Sequence, residues 1–254
     1  MNNLHIRLKS LDLSVIIVQP GKKQQVTFVM NKKINVLDMQ IDNCTAKEAM
    51  KQVVQFVQTE PVNVVKLVTA DTMMKLAEVA ELKQEMGCFD LVLAGEKEIL
   101  QAAGITDRRS IQEVDTLLFV KMFMRFLHKN KKRVFLLMGL DEEALRFTTY
   151  LESYYPGIHV EGYVVVPDQD RADDMIVNHI NGAEADCVLA VLSSPKQEEF
   201  VIRNKMLLNT RIWFGMGSVI NFQAKVGSRK TRLQELIVKH IFKKEIEKEN
   251  REKV

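Results

Sequence analysis

The feature of this sequence that most constrains its fold is a regular alternation of strand-like and helix-like segments beyond residue 60. The strand-like segments are short apolar runs, and the helix-like segments between them are longer and mixed in polarity. Alternation of this kind predicts βαβ units and an α/β fold, with a mostly parallel sheet and right-handed crossovers that place helices on both faces. The predicted strands are Asn63–Val68, Phe89–Leu93, Arg133–Met138, Ile158–Val164, Cys187–Leu192 and Thr210–Phe214, and the predicted helices are Thr72–Gln84, Asp115–His128, Glu142–Tyr154, Asp170–Ile180 and Lys196–Leu207.

The segments before residue 60 predict a different, smaller arrangement. Leu11–Val18 and Gln25–Met30 are extended-looking and flank a turn signal, which predicts a small N-terminal β-hairpin. Ile34–Met39 is predicted to be a short strand. Thr45 and Glu48 have the spacing of a capping box, so we expect a helix from there to about residue 58.

This pattern predicts that the chain is divided into three parts. We expect a β extension over residues 1–30, an α/β domain over residues 31–224 and a C-terminal appendage over residues 225–254. A possible boundary (seam) within the domain is predicted near residue 130, where the charged segment Asn130–Arg133 precedes a strongly apolar predicted strand.

Composition limits the class of protein. The chain has 254 residues, of which 46% are apolar and 27% are charged, so it can bury a sizeable core. Its three cysteines are widely spaced and suggest neither a disulfide framework nor a zinc site, which favours a reducing cytoplasm. There is no apolar run of about 18 residues and no signal-peptide pattern at the start, so we expect a chain that neither spans a membrane nor is exported.

The C-terminal appendage carries the excess positive charge. From Lys225 to Val254 there are ten Lys or Arg and five Glu, a net +5, which leaves −2 for the rest of the +3 chain. An amphipathic helix is predicted over residues 230–249, and it could pack on the body or lie on an anionic membrane. No aromatic residues alternate with the basic ones, so nucleic acid is the least expected partner. The apolar stripe of this helix consists of Leu233, Leu236, Ile237, His240 and Ile241.

A candidate ligand site lies where the buried strand ending at Leu192 meets the next helix. Ser194 is placed as the N-cap of that helix and Pro195 at its first position. Helix starts at the carboxyl ends of parallel strands are where open α/β sheets bind ligands, and their N–H groups suit phosphate. The alternative is an ordinary capped turn between a strand and a helix.

Eight motifs, taken in order and spacing, resemble those of the bacterial WecG/TagA/CpsF family of glycosyltransferases. The resemblance runs from Ile34 to about Lys244, roughly four-fifths of the chain, and Ser194–Glu198 (Ser-Pro-Lys-Gln-Glu) is its most specific part. The matching segments are Asn35–Thr45, Val68–Asp71, Asp90–Leu93, Val114–Asp115, Arg133–Gly139, Tyr154–Ile158, Ser194–Glu198 and Phe214–Ser218.

This resemblance implies a Rossmann-like, metal-independent enzyme with no cofactor. It would move an N-acetylhexosamine, with inversion, from a UDP-N-acetylhexosamine donor to a lipid-diphosphate-linked acceptor in surface-polysaccharide or teichoic-acid assembly. Its place would be the inner face of the plasma membrane, as a peripheral protein whose C-terminal appendage touches the anionic surface. Whether the protein forms a homo-oligomer is left open.

The donor side of the implied site is retained. Lys196 and Gln197 can offer a charged contact and amide hydrogen bonds to the nucleotide next to Ser194. Gly139, Gly215 and Gly217 each follow a predicted strand, where a ligand could approach the backbone. For any one of these glycines, a tight strand exit is the alternative explanation.

The acceptor side departs from the family pattern. Thr69 is kept, Asp71 replaces an asparagine, and Gly95 stands where the family has the aspartate proposed as base, with Glu96 one residue later. The family's Arg-Val-x-Gly-x-Asp segment is Ser110–Asp115 here and has lost its arginine and glycine. Two hypotheses remain open: an active transferase in which Asp71 or Glu96 serves as base near Thr69, or a non-catalytic nucleotide-sugar-binding relative that partners an active enzyme.

Overall fold

A computed structural model describes residues 32–166, 172–217 and 229–252, with side chains of the last helix described from Leu236 onward. The strands are β1 Lys32–Val36, β2 Met39–Asn43, β3 Asn63–Val68, β4 Leu91–Ala94, β5 Arg133–Met138, β6 His159–Val165, β7 Cys187–Val191 and β8 Ile212–Gly215. The helices are α1 Ala46–Phe56, α2 Ala70–Ala77, α3 Ala80–Glu85, α4 Lys97–Ala102, α5 Arg108–Asp115, α6 Leu118–Lys129, α7 Asp141–Tyr154, α8 Asp173–Gly182, α9 Lys196–Asn204 and α10 Arg229–Glu252.

The main sheet has six parallel strands in the order β4-β3-β8-β7-β5-β6. The strands predicted at Asn63–Val68 and Arg133–Met138 are found with the same bounds. The predicted seam near residue 130 lies between α6 and β5, and strands from both sides of it pair in this one sheet. The α/β fold class with a mostly parallel sheet is thereby confirmed.

Helices cover both faces of the sheet, because the strands alternate apolar side chains between two cores. On one face, α1, α6 and α7 pack on residues such as Val65 and Leu67 of β3. On the other face, α2, α8 and α9 pack on residues such as Val64 and Val68. The carboxyl ends of β3, β8 and β7 thus lie side by side in the middle of the sheet, with helices above and below them.

A two-stranded antiparallel hairpin replaces the single strand predicted at Ile34–Met39. β1 and β2 pair with Val36 opposite Met39, so their turn is the two residues Leu37 and Asp38, with φ of 47° and 58°. This left-handed pair is the geometry of a tight hairpin turn, which is normally marked by Asn-Gly or Asp-Gly, so Leu37 and Asp38 did not predict it. The hairpin predicted between Leu11 and Met30 lies outside the described residues.

The helix pattern before β5 is more broken than predicted. The helix expected at Thr72–Gln84 is two helices, α2 and α3, separated by Val79 with φ of −129°. The helix expected at Asp115–His128 starts later, as α6, and is preceded by the separate α4 and α5. By contrast, the predicted capping box is confirmed: Thr45 accepts from the Glu48 N–H, and the Glu48 carboxylate accepts from the Thr45 N–H.

The C-terminal helix α10 packs on the body of the protein. Phe242 is buried, and Val238 and Ile246 pack on the same core as α2 and α4, the two helices that α10 contacts. The predicted stripe is on another face: Leu236, Ile237 and Ile241 are 65%, 50% and 43% exposed. The side chain of Leu233 lies outside the described residues. No helix in the described part is both long and apolar enough to span a bilayer.

Candidate functional site

A cleft opens at the carboxyl ends of β3 and β4, on the face covered by α1 and α6. Its cavity volume is about 50 Å³, which is room for a few water molecules, and it is partly open to solvent. Its floor is formed by Leu67 and Leu93, and one wall is the corner Asn43–Ala46 between β2 and α1. The facing wall is formed by α5 and the start of α6.

Polar groups line this cleft from both walls. Asp42, at the end of β2, is buried and accepts the Val92 N–H at 2.8 Å, which attaches the hairpin to β4. Glu113 of α5 accepts the N–H of Ala46 at 2.8 Å through Oε2, and Arg109 Nε donates to its Oε1 at 3.2 Å. The first N–H of α1, which would otherwise be free to bind an anion, is therefore bound by a side chain from a distant segment.

Cys44 lies in the cleft as a neutral thiol. Burial, followed by the negative charges of Asp42, Glu48 and Glu113, raises the pKa of Cys44 to about 12. A thiol with such a pKa is protonated at neutral pH, and only the thiolate is a strong nucleophile. Cys44 is therefore not a covalent catalyst.

The residues predicted for the acceptor side surround the start of α2 instead of lining this cleft. Thr69 is the N-cap of α2 and accepts the Thr72 N–H at 3.2 Å. Asp71 forms an ion pair with Lys75 at 2.8 Å, one turn along the same helix. Glu96 accepts the N–H of Ala70 at 2.5 Å. The structure brings the three together, but in a helix-capping arrangement.

Lys239 of α10 completes this arrangement. Its Nζ lies 3.1 Å from Glu96 Oε2 and 2.8 Å from Glu98 Oε1. Burial lowers the pKa of Lys239, but the hydrogen bond to Glu98 and the charge of Glu96 outweigh it and raise the pKa above its ordinary value. The loop that carries Gly95 is therefore bound to the C-terminal helix.

The turn between β7 and α9 differs from its prediction. Ser194 is not the N-cap: α9 starts at Lys196 after Pro195, without a side-chain cap. The Ser194 hydroxyl instead donates to Glu198 Oε1 at 3.0 Å, since this buried carboxylate is the nearer acceptor. Lys196 is half-buried in the first turn of α9.

Gln197 points into the protein and does not line the cleft. It is 1% exposed, its amide donates to Ala190 O at 2.9 Å, and its amide oxygen accepts from Lys66 Nζ. Lys66, on β3, also forms a buried ion pair with Glu198 at 2.5 Å. Among the described residues Glu198 Oε2 has no hydrogen-bond partner. The most family-specific motif thus supports a buried polar cluster beneath the ends of β3, β8 and β7.

Whether a glycine is required differs among the three positions predicted to contact a ligand. A Cβ on Gly215 would lie 2.8 Å from the Gln197 amide and 3.1 Å from Lys66 Cδ, so the cluster requires a glycine there. Gly217 has φ of 54°, a conformation that favours glycine. A Cβ on Gly139 would meet only Glu143, at 3.8 Å, so neither a contact nor the backbone demands a glycine.

Fold and cleft together define a Rossmann-like α/β protein with a ligand site at the carboxyl edge of a parallel sheet. The model of the Glycosyl transferase WecG/TagA/CpsF family matches residues 34–236, which include every segment that builds the cleft. The chain therefore belongs to this glycosyltransferase family.

Curated relatives agree with this assignment. The chain is 21% identical over 202 residues to an N-acetylglucosaminyldiphosphoundecaprenol N-acetyl-beta-D-mannosaminyltransferase of Staphylococcus aureus strain MRSA252, which covers 78% of each chain. It is 22% identical over 203 residues to the protein of that name from strain NCTC 8325 / PS 47, again covering 78% of each.

Two residues of these polar clusters had no clear sequence signal. Lys66 lies in an apolar strand where a lysine predicts a solvent-facing position, and its partner Glu198 is far away in the chain. Glu113 lies on α5, a helix without buried residues that was not predicted separately. In the described ranges, no group of three or more His, Cys, Asp or Glu side chains is arranged to hold a metal ion.

Proposed function

We propose that this protein transfers an N-acetylhexosamine from a UDP-sugar to a lipid-diphosphate-linked sugar in the assembly of teichoic acid or a related surface polymer. The observation that carries the proposal is that the family match runs through both walls of the cleft, from the Asn43–Ala46 corner to Val120. The relatives named above act, by their names, on an N-acetylglucosaminyl diphosphate lipid, which supports an acceptor of that class.

The transfer is tested by release of UDP. Purified protein is incubated with each UDP-N-acetylhexosamine and an N-acetylglucosaminyl diphosphate lipid, and UDP is measured with and without EDTA. We expect release that needs both substrates and persists in EDTA, because the family resemblance implies a metal-independent reaction. Release that needs no acceptor would indicate hydrolysis, and the absence of release with every donor would reject the proposal.

A second candidate function is a non-catalytic sugar-nucleotide binder. It is favoured by the contacts of the carboxylates expected to act as base, because Glu96 is bound to the Ala70 N–H and to Lys239. Asp71 is likewise bound by Lys75. Calorimetric titration with UDP and UDP-sugars separates the candidates, because a binder would give heat of binding without UDP release.

We propose further that α10 holds the protein on the anionic inner face of the plasma membrane. Its outward side combines Leu236, Ile237 and Ile241 with the exposed Lys244 and Lys248. Apolar insertion and about 1 kcal/mol for each basic residue near the surface would act together.

Vesicle sedimentation tests this membrane contact. Replacing Leu236, Ile237 and Ile241 with serine should abolish binding to anionic vesicles, and the intact protein should lose binding as salt is raised. The matched control replaces Met206 and Leu207, which are exposed on the body, with serine. Equal losses in both variants would reject a specific role for α10.

A further inference from the structure

The cleft contains a carboxylate to which the sequence comparison assigned no role. Two of its described lining residues are acidic, Asp42 and Glu113. Asp42 is buried and bound to the backbone of β4, so it is a structural link. The side chain of Glu113 is 15% exposed, which leaves it accessible from the cleft while sheltered from bulk water.

The contacts of Glu113 hold its side chain in place but do not use all the hydrogen-bond acceptor sites of its carboxylate. Oε2 is fixed at 2.8 Å by the Ala46 N–H, and Oε1 is 3.2 Å from Nε of the solvent-exposed Arg109. An ionised carboxylate can accept about four hydrogen bonds, so two remain for a ligand. The side chain is therefore oriented by the start of α1 and still able to accept a proton.

The other acidic candidates are less suitable. Asp71 is paired with Lys75, and Glu96 is held by the Ala70 N–H and by Lys239. Neither lines the cleft. Glu113, which lines the cleft, is therefore the better-placed carboxylate.

We propose that Glu113 is the general base of the transfer, an inference that rests on the proposed function. The acceptor hydroxyl gives its proton to the Glu113 carboxylate while its oxygen bonds to the anomeric carbon of the UDP-sugar. The bond from that carbon to the diphosphate oxygen breaks, and its electron pair leaves with UDP. Atoms and charges balance without a further reactant, and the protonated Glu113 returns its proton to water.

The decisive variant is Glu113→Gln. Its amide oxygen can still accept the Ala46 N–H, so the cap and the fold are kept while the proton acceptor is lost. We expect kcat to fall about a hundredfold or more, the usual scale for a general base, with KM for the UDP-sugar within about threefold.

Two further variants separate chemistry from structure. Glu113→Asp keeps the carboxylate on a shorter side chain, so we expect partial activity. Glu142→Gln is the matched control on α7, where the carboxylate is 83% exposed and paired with Arg146 outside the cleft, and it should leave kcat unchanged. Thermal unfolding of each variant checks that the fold is intact.

The outcomes distinguish the two proposals. Wild-type turnover that survives in Glu113→Gln overturns the role of Glu113 and leaves the transferase proposal standing. Higher turnover in Glu113→Gln also overturns it, because Glu113 would then be a carboxylate that obstructs the cleft. Absence of wild-type turnover with every donor overturns both proposals.

Discussion

Gly215 is the residue on which the buried cluster beneath the sheet edge most depends. Gly215→Ala places a methyl group 2.8 Å from the Gln197 amide, and both Gln197 and Lys66 are too buried to move away easily. We expect a loss of about 1–3 kcal/mol in the free energy of unfolding, the range for overpacking a core. Gly139→Ala, with 3.8 Å of room, is the control and should change it by less than about 0.5 kcal/mol. Urea unfolding measures both, and equal effects would contradict the steric argument.

The raised pKa of Cys44 leads to a prediction about its alkylation rate and about the pH dependence of stability. Because the pKa of Cys44 is raised to about 12, iodoacetamide at pH 8 should alkylate the exposed Cys88 at least about tenfold faster than it alkylates Cys44. Mass spectrometry follows both reactions. The unfolded chain loses this proton near its ordinary value of 9.0, before the folded one does. The free energy of unfolding should therefore fall as pH rises from about 9 towards 12. Rapid labelling of Cys44 in the folded protein would show that the cleft does not bury it.

Single residues also mark where sequence reasoning reached its limit. Thr45 and Glu48 were assigned correctly because a capping box is local, and its two partners are three residues apart. Ser194 was assigned wrongly as the N-cap, because α9 begins after Pro195 and the Ser194 hydroxyl binds Glu198, four residues along the chain. Gln197 was expected to bind a ligand, and its contact with Lys66 could not be anticipated, because it depends on β3 and β7 being neighbours of β8.

At the scale of elements, the turn that ends α6 places a lysine, Lys131, in the left-handed conformation that favours glycine. The Lys132 N–H bonds Leu127 O at 3.0 Å and the Lys131 N–H bonds His128 O at 3.3 Å, which is a Schellman motif with Lys131 at φ of 49°. Lys131→Gly should raise the free energy of unfolding by up to about 1 kcal/mol, because glycine adopts this conformation without strain. Lys129→Gly, inside the helix, should lower it by about the same amount. Thermal unfolding of the two variants should move in opposite directions.

The docking of α10 can be measured by comparing neighbouring side chains. Phe242 is buried and Ile241 is largely exposed, so Phe242→Ala should cost about 3–5 kcal/mol and Ile241→Ala less than about 1 kcal/mol. Limited proteolysis followed by mass spectrometry should show faster cleavage within α10 for the first variant only. Similar cleavage of both variants would mean that Phe242 does not hold the helix.

The elements that were predicted well are those whose signal is continuous in sequence. In β5 an unbroken apolar run follows Arg133, and in β3 only Lys66 interrupts the apolar residues after Asn63. The bounds of both strands matched. The break between α2 and α3 was missed because Val79 is neither Gly nor Pro, so nothing local ends the helix there. For α10 the helix was predicted correctly, but the stripe assigned to it is exposed and Val238, Phe242 and Ile246 form the packed face.

At the scale of the whole molecule, the sequence indicated a parallel sheet but not which strands are neighbours. β8, the last of the described strands, inserts between β3 and β7, so a late segment of the chain completes the middle of the sheet. The cleft likewise joins the corner after β2, the ends of β3 and β4, and α5. Such a site depends on long-range packing, which explains why local motifs located the family but not Glu113.

The attachment of α10 to α2 and α4 has a kinetic consequence. Both helices begin at the sheet edge where the cleft opens, and Lys239 joins α10 to the loop between β4 and α4. A membrane-bound protein of this shape would meet its acceptor by lateral diffusion, so the rate depends on the number of acceptor molecules per unit area of bilayer. Adding vesicle lipid at constant total acceptor and constant anionic fraction should slow UDP release in proportion to the dilution. A rate that follows only the bulk acceptor concentration would mean that the reaction takes place away from the surface.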